Sequence, residues 1–261
     1  MSSTPEAVAA VTSQPLSRQQ RRRCLLVLLA LGLAICFWQL GGNGLVDETP
    51  PLFAAAGRAM ARTGDWLTPR VNGLPRFDKP PLVYWVMGLG YALPGQAQWD
   101  PLGTWAGRLP SALGTLITLL MLGDTLLRFP QPGDGHPRRT AVAAALAFVL
   151  SPLVLLWSRT AVSDCLLSGT LALSLLCQWR CHATGGRRWW LAWVVLGLAV
   201  LTKGPVAVVL SGITLLLFGL ARRNLAGLWC QLRPLPGLTI TALISLPWYG
   251  LELLVEGQPF W

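Results

Sequence analysis

The sequence predicts an all-α integral membrane protein with about seven transmembrane helices and a long outer loop of interfacial helices between the first and the second. Of its 261 residues, 53% are hydrophobic and 12% are charged, and the mean hydropathy is positive. Soluble domains carry about a quarter charged residues, so this composition indicates a lipid environment. Apolar runs recur along the chain and are separated by short clusters of arginine.

Seven apolar runs are the candidate spans, because a helix crosses the bilayer core with about 20 apolar residues. The first run follows four arginines and lacks the small residues of a signal-peptide cleavage site, so we expect an uncleaved span with its N-terminus inside. The run 189–202 is short and needs extended flanks or local thinning of the bilayer. The runs are 24–40, 109–127, 140–157, 161–179, 189–202, 204–220 and 236–255.

Basic residues decide the side on which each loop lies. The segment 80–94 is also apolar, but if it crossed the membrane, every later basic cluster would face outward, against the positive-inside rule. Without that span, the inner segments hold 13 of the 21 basic residues. We therefore expect 80–94 to lie at the interface and 41–108 to form an outer loop. The predicted organisation is a cytoplasmic segment 1–23, a transmembrane domain 24–255 and an outer end 256–261.

The residue inventory excludes several classes of site and partner. The net charge of +10 comes mostly from arginines in short inner loops, so we expect no nucleic-acid partner. The six cysteines form no CxxC pair, and Cys177 and Cys181 beside His182 are too few ligands for a metal site. Both histidines lie in predicted inner loops, which excludes imidazole catalysis outside. The sequence also lacks a glycine-rich phosphate loop and a dinucleotide fingerprint.

Two adjacent acids, Asp47 and Glu48, precede a predicted interfacial helix in the outer loop. Thr49-Pro50 is typical of an N-cap and a first helical residue, apolar residues then recur at helical spacing, and Gly64 ends the pattern. A short amphipathic helix of this kind lies on a membrane surface. The two acids either take part in chemistry or only complement the helix dipole.

The chain has only two lysines against 19 arginines, and both are placed outside. They are Lys79, which precedes Pro80, and Lys203, which precedes Gly-Pro. A proline holds the preceding backbone extended and so directs the lysine side chain. Such a point charge suits a phosphate group. The alternative is that each lysine only snorkels from the end of a span.

A further acid, Asp164, stands at or just inside a span, where an ionised carboxylate costs about 2.5–3.5 kcal/mol. Arg159 is its nearest cationic neighbour in the sequence, and a structural ion pair is the alternative to a functional role. A carboxylate can deprotonate an acceptor hydroxyl, while cations neutralise a phosphate leaving group. The residues predicted to share the outer face are Asp47, Glu48, Asp78, Lys79, Arg159, Asp164 and Lys203.

An ordered set of short motifs resembles a known family. The set comprises Asp47-Glu48, Gly64-Asp65-Trp66, Asn72-Gly73, Phe77-Asp78-Lys79-Pro80-Pro81, Arg108-Leu109-Pro110-Ser111, Arg159-Thr160-Ala161 and Thr202-Lys203-Gly204-Pro205. It resembles the N-terminal half of the aminoarabinose transferase and protein mannosyltransferase superfamily. These are integral-membrane C-type glycosyltransferases of glycosyltransferase family 39.

The resemblance implies transfer of a sugar from a polyprenyl-phosphate donor to a lipid, polysaccharide or protein on the outer face of the bacterial inner membrane. It implies catalytic roles for Asp47, Glu48 and Asp164. It implies no required cofactor, with a divalent metal cation at Asp78 as an option seen in relatives. The residues expected to bind the donor phosphate are Lys79, Arg159, Lys203 and Arg58.

Two departures from the family pattern bear on this interpretation. Relatives follow the acid pair with Arg-Tyr, whereas this chain has Thr49-Pro50-Pro51, so Arg58 or Arg62 would have to supply the guanidinium. Relatives also continue well beyond the position of Trp261, so we expect a separate C-terminal half as a partner. The alternative function is a truncated, non-catalytic membrane module that binds polyprenyl phosphate or a partner subunit.

Overall fold

The structure is a computed structural model that describes residues 16–100, 103–131 and 133–260. Three of the predicted segments extend beyond these ranges. Residues 1–15 of the basic N-terminal segment, residues 101–102 of the outer loop and residue 261 of the outer end lie outside the described residues.

The described part of the chain is helical apart from one short hairpin. The hairpin pairs β1 (Arg70–Val71) with β2 (Leu74–Pro75) around an Asn72-Gly73 turn in which both φ angles are positive. This is the turn that the twist of a two-residue hairpin favours. The helices are α1 (Arg18–Phe37), α2 (Thr49–Thr63), α3 (Leu82–Tyr91), α4 (Gln96–Trp99), α5 (Thr104–Arg128), α6 (Pro137–Val149), α7 (Pro152–Trp157), α8 (Asp164–Ala183), α9 (Trp189–Lys203), α10 (Val206–Ala221), α11 (Leu225–Leu232) and α12 (Pro234–Glu256), followed by a 3-10 turn at Gln258–Phe260.

Two of these helices, α5 and α12, are long and apolar enough to cross a membrane, judged by length and composition. Three shorter apolar helices, α3, α9 and α10, have 10–17 residues. Helical segments coincide with all seven predicted runs, but the number of spans stays a prediction. Helix α3 has ten residues and a length of about 15 Å, half the bilayer core, which agrees with an interfacial position for 80–94.

The structure differs from the predicted pattern at two places. The run 140–157 is divided into α6 and α7 at Ser151-Pro152, because a proline lacks the amide that continues a helix and disfavours helical geometry in the residue before it. Helix α11 lies in what was predicted to be an inner loop. Asn224 caps this helix by accepting the Gly227 amide on its side-chain oxygen at 3.0 Å.

Helix α5 is the centre of the bundle and packs against α1, α3, α6 and α8. Its closest approach is to α8, where an added Cβ on Gly169 would lie 2.5 Å from the carbonyl oxygen of Gly114. Small residues let helix backbones approach in this way, which is a common means of association in membranes. Larger side chains at either position would separate the two helices.

One end of the bundle is marked by a carboxylate of α5 whose side chain is 13% exposed. Asp124 of α5 is paired with Arg21 of α1 at 3.5 Å, Arg128 at 2.8 Å and Arg180 of α8 at 3.1 Å. This end is called the Asp124 end below. Because α5 begins at the other end, the loops that precede α2, α3 and α8 are remote from Asp124.

The last helix fixes the loop that follows α2. Trp248 donates its indole N–H to the carbonyl of Leu67 at 3.0 Å, and Thr68 donates its hydroxyl to Glu252 at 2.9 Å. Arg70 bridges Asp65 and Glu256. Residues near the C-terminal end of α12 therefore hold the loop between α2 and α3 against the bundle.

Replacing Trp248 by Phe removes the indole donor but keeps an aromatic ring in place. We expect residues 65–71 to exchange amide hydrogens roughly fivefold faster, equivalent to about 1 kcal/mol for one lost hydrogen bond. The measurement is hydrogen–deuterium exchange in detergent micelles. Trp229→Phe is the matched control, since that indole is exposed and makes no hydrogen bond within the described residues. Equal exchange in both variants would contradict the role assigned to Trp248.

Candidate active site

Helices α2 and α3 pack side by side and run in the same direction. Phe53 stacks on Tyr84 with ring centroids 5.4 Å apart, and Arg58, further along α2, lies over Tyr91, further along α3. Gly57 permits the contact, because an added Cβ would lie 2.6 Å from the Cβ of Met87. The segments that precede the two helices therefore lie at the same end of the pair.

The acids Asp47 and Glu48 precede α2 and are both exposed. Asp47 has a φ of 81°, and its carboxylate accepts the backbone N–H of Glu48 at 2.7 Å. A positive φ is uncommon outside glycine and is tolerated best by Asn and Asp. Thr49 is the first residue of the helix and Glu48 occupies the capping position, so the expectation of Thr49 as the N-cap is wrong by one residue.

Arg108 fixes the loop that leads to Asp47, a role that the sequence did not reveal. Its side chain comes from the first part of α5 and is only 8% exposed. It donates to the carbonyls of Leu40 at 2.8 Å, Asn43 at 2.7 Å and Gly44 at 2.8 Å. A guanidinium has five donors in a fixed plane, so one side chain determines the path of the loop.

Arg159 makes a similar set of contacts with the end of α1. Its guanidinium donates to the carbonyls of Ile35, Trp38 and Gln39. The last carbonyls of a helix lack hydrogen-bond donors within the helix, and the Arg159 guanidinium donates to them instead. The expected ion pair between Arg159 and Asp164 is therefore wrong.

Asp164 is paired instead with Lys203. This ion pair joins the start of α8 to the end of α9, and the two side chains are 48% and 31% exposed. Sequence proximity suggested Arg159, but the packing of α8 against α9 brings the lysine closer. Asp164 and Lys203, which were both predicted to lie on the outer face, are therefore in direct contact.

Lys79 and Asp78 lie just before α3 and have different surroundings. Asp78 is bound at 2.5 Å by Arg76, whose guanidinium also lies 5.7 Å from the ring centre of Phe53. Lys79 donates to the carbonyl of Asp78 at 3.0 Å and makes no ion pair within the described residues. Of the two, Lys79 has the charge that is available to an external anion.

Tyr84 is excluded as a general base at this site. Burial raises the pKa of Tyr84 to about 12, and the nearby Arg76 acts in the opposite direction without cancelling the effect. A phenol of this kind stays protonated at the pH values at which proteins function. The exposed carboxylates of Asp47 and Glu48 remain the candidate bases before α2.

Arg58 lies apart from Lys79. It is nine residues beyond Thr49 along α2, roughly 14 Å at the rise of an α-helix, and it faces a cavity of about 530 Å³ shared with Arg62, Tyr91 and Asp100. Gly103, with a φ of 67°, leaves room for the guanidinium, because an added Cβ would overlap it. The structure does not bring Arg58 together with the residues before α3.

The loop 158–163 links the residues that precede α2 and α3 to the pair Asp164 and Lys203. Ala161 belongs to the same buried cluster as Phe53 and Tyr84, and Ser111 of α5 donates to the carbonyl of Thr160 at 2.6 Å. The start of α8, and with it Asp164, is therefore packed against the α2–α3 pair. Beneath Asp164 lies a groove of about 410 Å³ with mostly apolar walls from α5, α6, α7 and α8.

The described residues do not fit a metal centre. Among them, no group of three or more His, Cys, Asp or Glu side chains lies close enough to hold an ion. Asp78, the predicted metal ligand, is already neutralised by Arg76.

Comparison with known proteins places these features in context. Residues 78–249 match the sequence profile described as dolichyl-phosphate-mannose-protein mannosyltransferase. The chain is 31% identical over 252 residues to the undecaprenyl phosphate-alpha-4-amino-4-deoxy-L-arabinose arabinosyl transferase of Pseudomonas aeruginosa, covering 93% of this chain and 42% of that relative. The chain therefore spans less than half the length of this relative.

Two solved structures have the same fold. They are crystal structures of ArnT from Cupriavidus metallidurans, one in the apo state and one bound to undecaprenyl phosphate. Each superposes with a TM-score of 0.75 at 26% sequence identity. The apo structure matches 92% of this chain and 43% of its own chain, and the complex matches 90% and 42%.

Replacing Arg108 by Met leaves the carbonyls of the loop without a donor. We expect the free energy of unfolding to fall by about 1.5–3 kcal/mol, the range for hydrogen bonds to a charged group, and residues 40–48 to become sensitive to protease. Thermal unfolding in detergent and mapped limited proteolysis measure the two effects. Arg62→Met removes the same charge from an exposed position and serves as the control. A loop that stays resistant in Arg108→Met would refute the assignment.

Proposed function

The chain belongs to the dolichyl-phosphate-mannose-protein mannosyltransferase family, and we propose that it transfers a sugar from a polyprenyl-phosphate donor to an acceptor at the outer face of a bacterial inner membrane. The donor class is supported by the undecaprenyl phosphate in the name of the Pseudomonas relative and by the undecaprenyl phosphate bound to ArnT in a crystal structure with the same fold. The proposed acceptor is the hydroxyl of a lipid, a polysaccharide or a protein.

The observation that carries the proposal is the position of Lys79. Its ammonium has no ion-pair partner within the described residues and lies at the same end of the α2–α3 pair as the exposed Asp47. An ammonium without a carboxylate partner suits a phosphate. A cation and a carboxylate at one end of two interfacial helices are what transfer from a phosphate-linked sugar needs.

The proposed reaction divides the work between these two residues. The acceptor hydroxyl attacks the anomeric carbon of the sugar, and its proton passes to the carboxylate of Asp47. The bond between that carbon and the phosphate oxygen breaks, and the polyprenyl phosphate leaves with the electron pair. Lys79 neutralises the charge that develops on the leaving phosphate.

The remaining candidates take different positions in this scheme. Asp164 and Lys203 form their ion pair above the apolar groove, so we assign the groove to the first prenyl units and Lys203 to the side of the phosphate that faces them. Glu48 stands beside Asp47 as a second carboxylate. Arg159 is omitted from the phosphate site because its guanidinium is bound to three carbonyls, and Arg58 because of its distance along α2.

Transfer of a labelled sugar from polyprenyl phosphate in membranes tests the proposal. Asp47→Asn and Lys79→Met are each expected to lower the rate at least about a hundredfold, a typical loss for one acid–base or charge-stabilising group. Arg222→Gln removes an exposed charge at the Asp124 end and is expected to keep the rate. The assay is run with the chain alone and with the C-terminal part of a relative supplied.

A binding assay with the donor lipid distinguishes a transferase from a module that only binds polyprenyl phosphate. Lys79→Met should weaken binding, while Asp47→Asn should leave it within about twofold and lose only transfer. Binding without transfer in both formats would favour a non-catalytic membrane module. Full transfer by both variants would overturn the assignment of these residues.

A further inference from the structure

An open groove at the Asp124 end of the bundle has no part in the proposed reaction. It lies between α1 and α5 beside α8 and has a volume of about 670 Å³. Arg108 and Asp124 are 16 residues apart on α5, so roughly 24 Å of helix separates this end from the loop of Asp47. We call it the arginine groove, since Arg18, Arg21 and Arg22 of α1 line it together with Asp124 of α5.

The α1 wall of this arginine groove is amphipathic along its length. Its three arginines lie in the first turns of α1, and leucines follow at spacings that keep them on the same side. From Arg18 to Leu29 the wall extends roughly 16 Å along the helix axis. The facing walls, Ile117 and Leu120 of α5 and Leu173 of α8, are apolar. The groove is thus cationic at its mouth and apolar along its length.

The positive charge at the mouth is in excess. Asp124 is the one carboxylate in the groove wall among the described residues, and it is shared by Arg21, Arg128 and Arg180. Arg18 and Arg22 are exposed and make no ion pair in the part of the chain that the structure describes. Two guanidinium groups at the mouth therefore have no counter-charge among the described residues.

We propose that the arginine groove binds an anionic phospholipid. The phosphate of its head group is held by Arg18 and Arg22, and an acyl chain lies along the leucines of α1 and the apolar residues of α5. Basic pockets between transmembrane helices are a recognised form of lipid head-group site. The occupant is a lipid rather than a soluble anion because the apolar walls continue directly below the cationic mouth.

The purified chain in detergent, titrated with phosphatidylglycerol or phosphatidylcholine and read by native mass spectrometry, tests this site. We expect saturable binding of phosphatidylglycerol and little of phosphatidylcholine. The double variant Arg18→Gln/Arg22→Gln should weaken phosphatidylglycerol binding about tenfold or more, since both cationic contacts with the lipid head group are lost. Neither arginine has an ion-pair partner to lose among the described residues, so folding is expected to be unaffected.

The matched control is Arg138→Gln/Arg139→Gln. These two arginines are exposed at the start of α6, at the same end of the bundle, and lie outside the groove. An equal loss of phosphatidylglycerol binding in both double variants would show that net charge alone causes the effect, and it would overturn the proposal. Displacement of the lipid by millimolar inorganic phosphate would also overturn it, because the site would then select a free anion.

Discussion

The geometry of the candidate site depends on two arginines that bind backbone carbonyls. Arg108 and Arg159 together hold six carbonyls between Ile35 and Gly44, the segment in which α1 ends and the loop before α2 begins. Near a membrane such carbonyls are costly without a donor, and each guanidinium supplies several. The position of Asp47, three residues further on, follows from this attachment.

The site is assembled from segments that are distant in the sequence. The parallel packing of α2 and α3 brings Asp47 and Lys79 to one end, the loop 158–163 joins them to Asp164, and α9 supplies Lys203. The C-terminal end of α12 fixes the loop between α2 and α3. The opposite end differs in chemistry, since Asp124 there is surrounded by three arginines.

The helical class and the approximate extent of α2 could be predicted from the sequence, because composition and the signals of proline and glycine are local features. The partner of Asp164 could not, since Lys203 is 39 residues away and only packing of α8 on α9 brings the two together. The function of Arg108 could not be predicted either, because residue types do not indicate which backbone carbonyls accept a hydrogen bond from a side chain. The helix break before Pro152 does have a local signal, the proline itself, but the continuous apolar run 140–157 predicted a single span.

We propose that a polyprenyl phosphate binds where the loops before α2, α3 and α8 meet. Photocrosslinking the chain with a polyprenyl phosphate that has a photoreactive group in its first prenyl unit, followed by peptide mapping, tests it most directly. We expect adducts within 76–83 and within 153–168, and fewer of them in Lys79→Met. Adducts confined to α10–α12 or to the Asp124 end, unchanged in that variant, would contradict it.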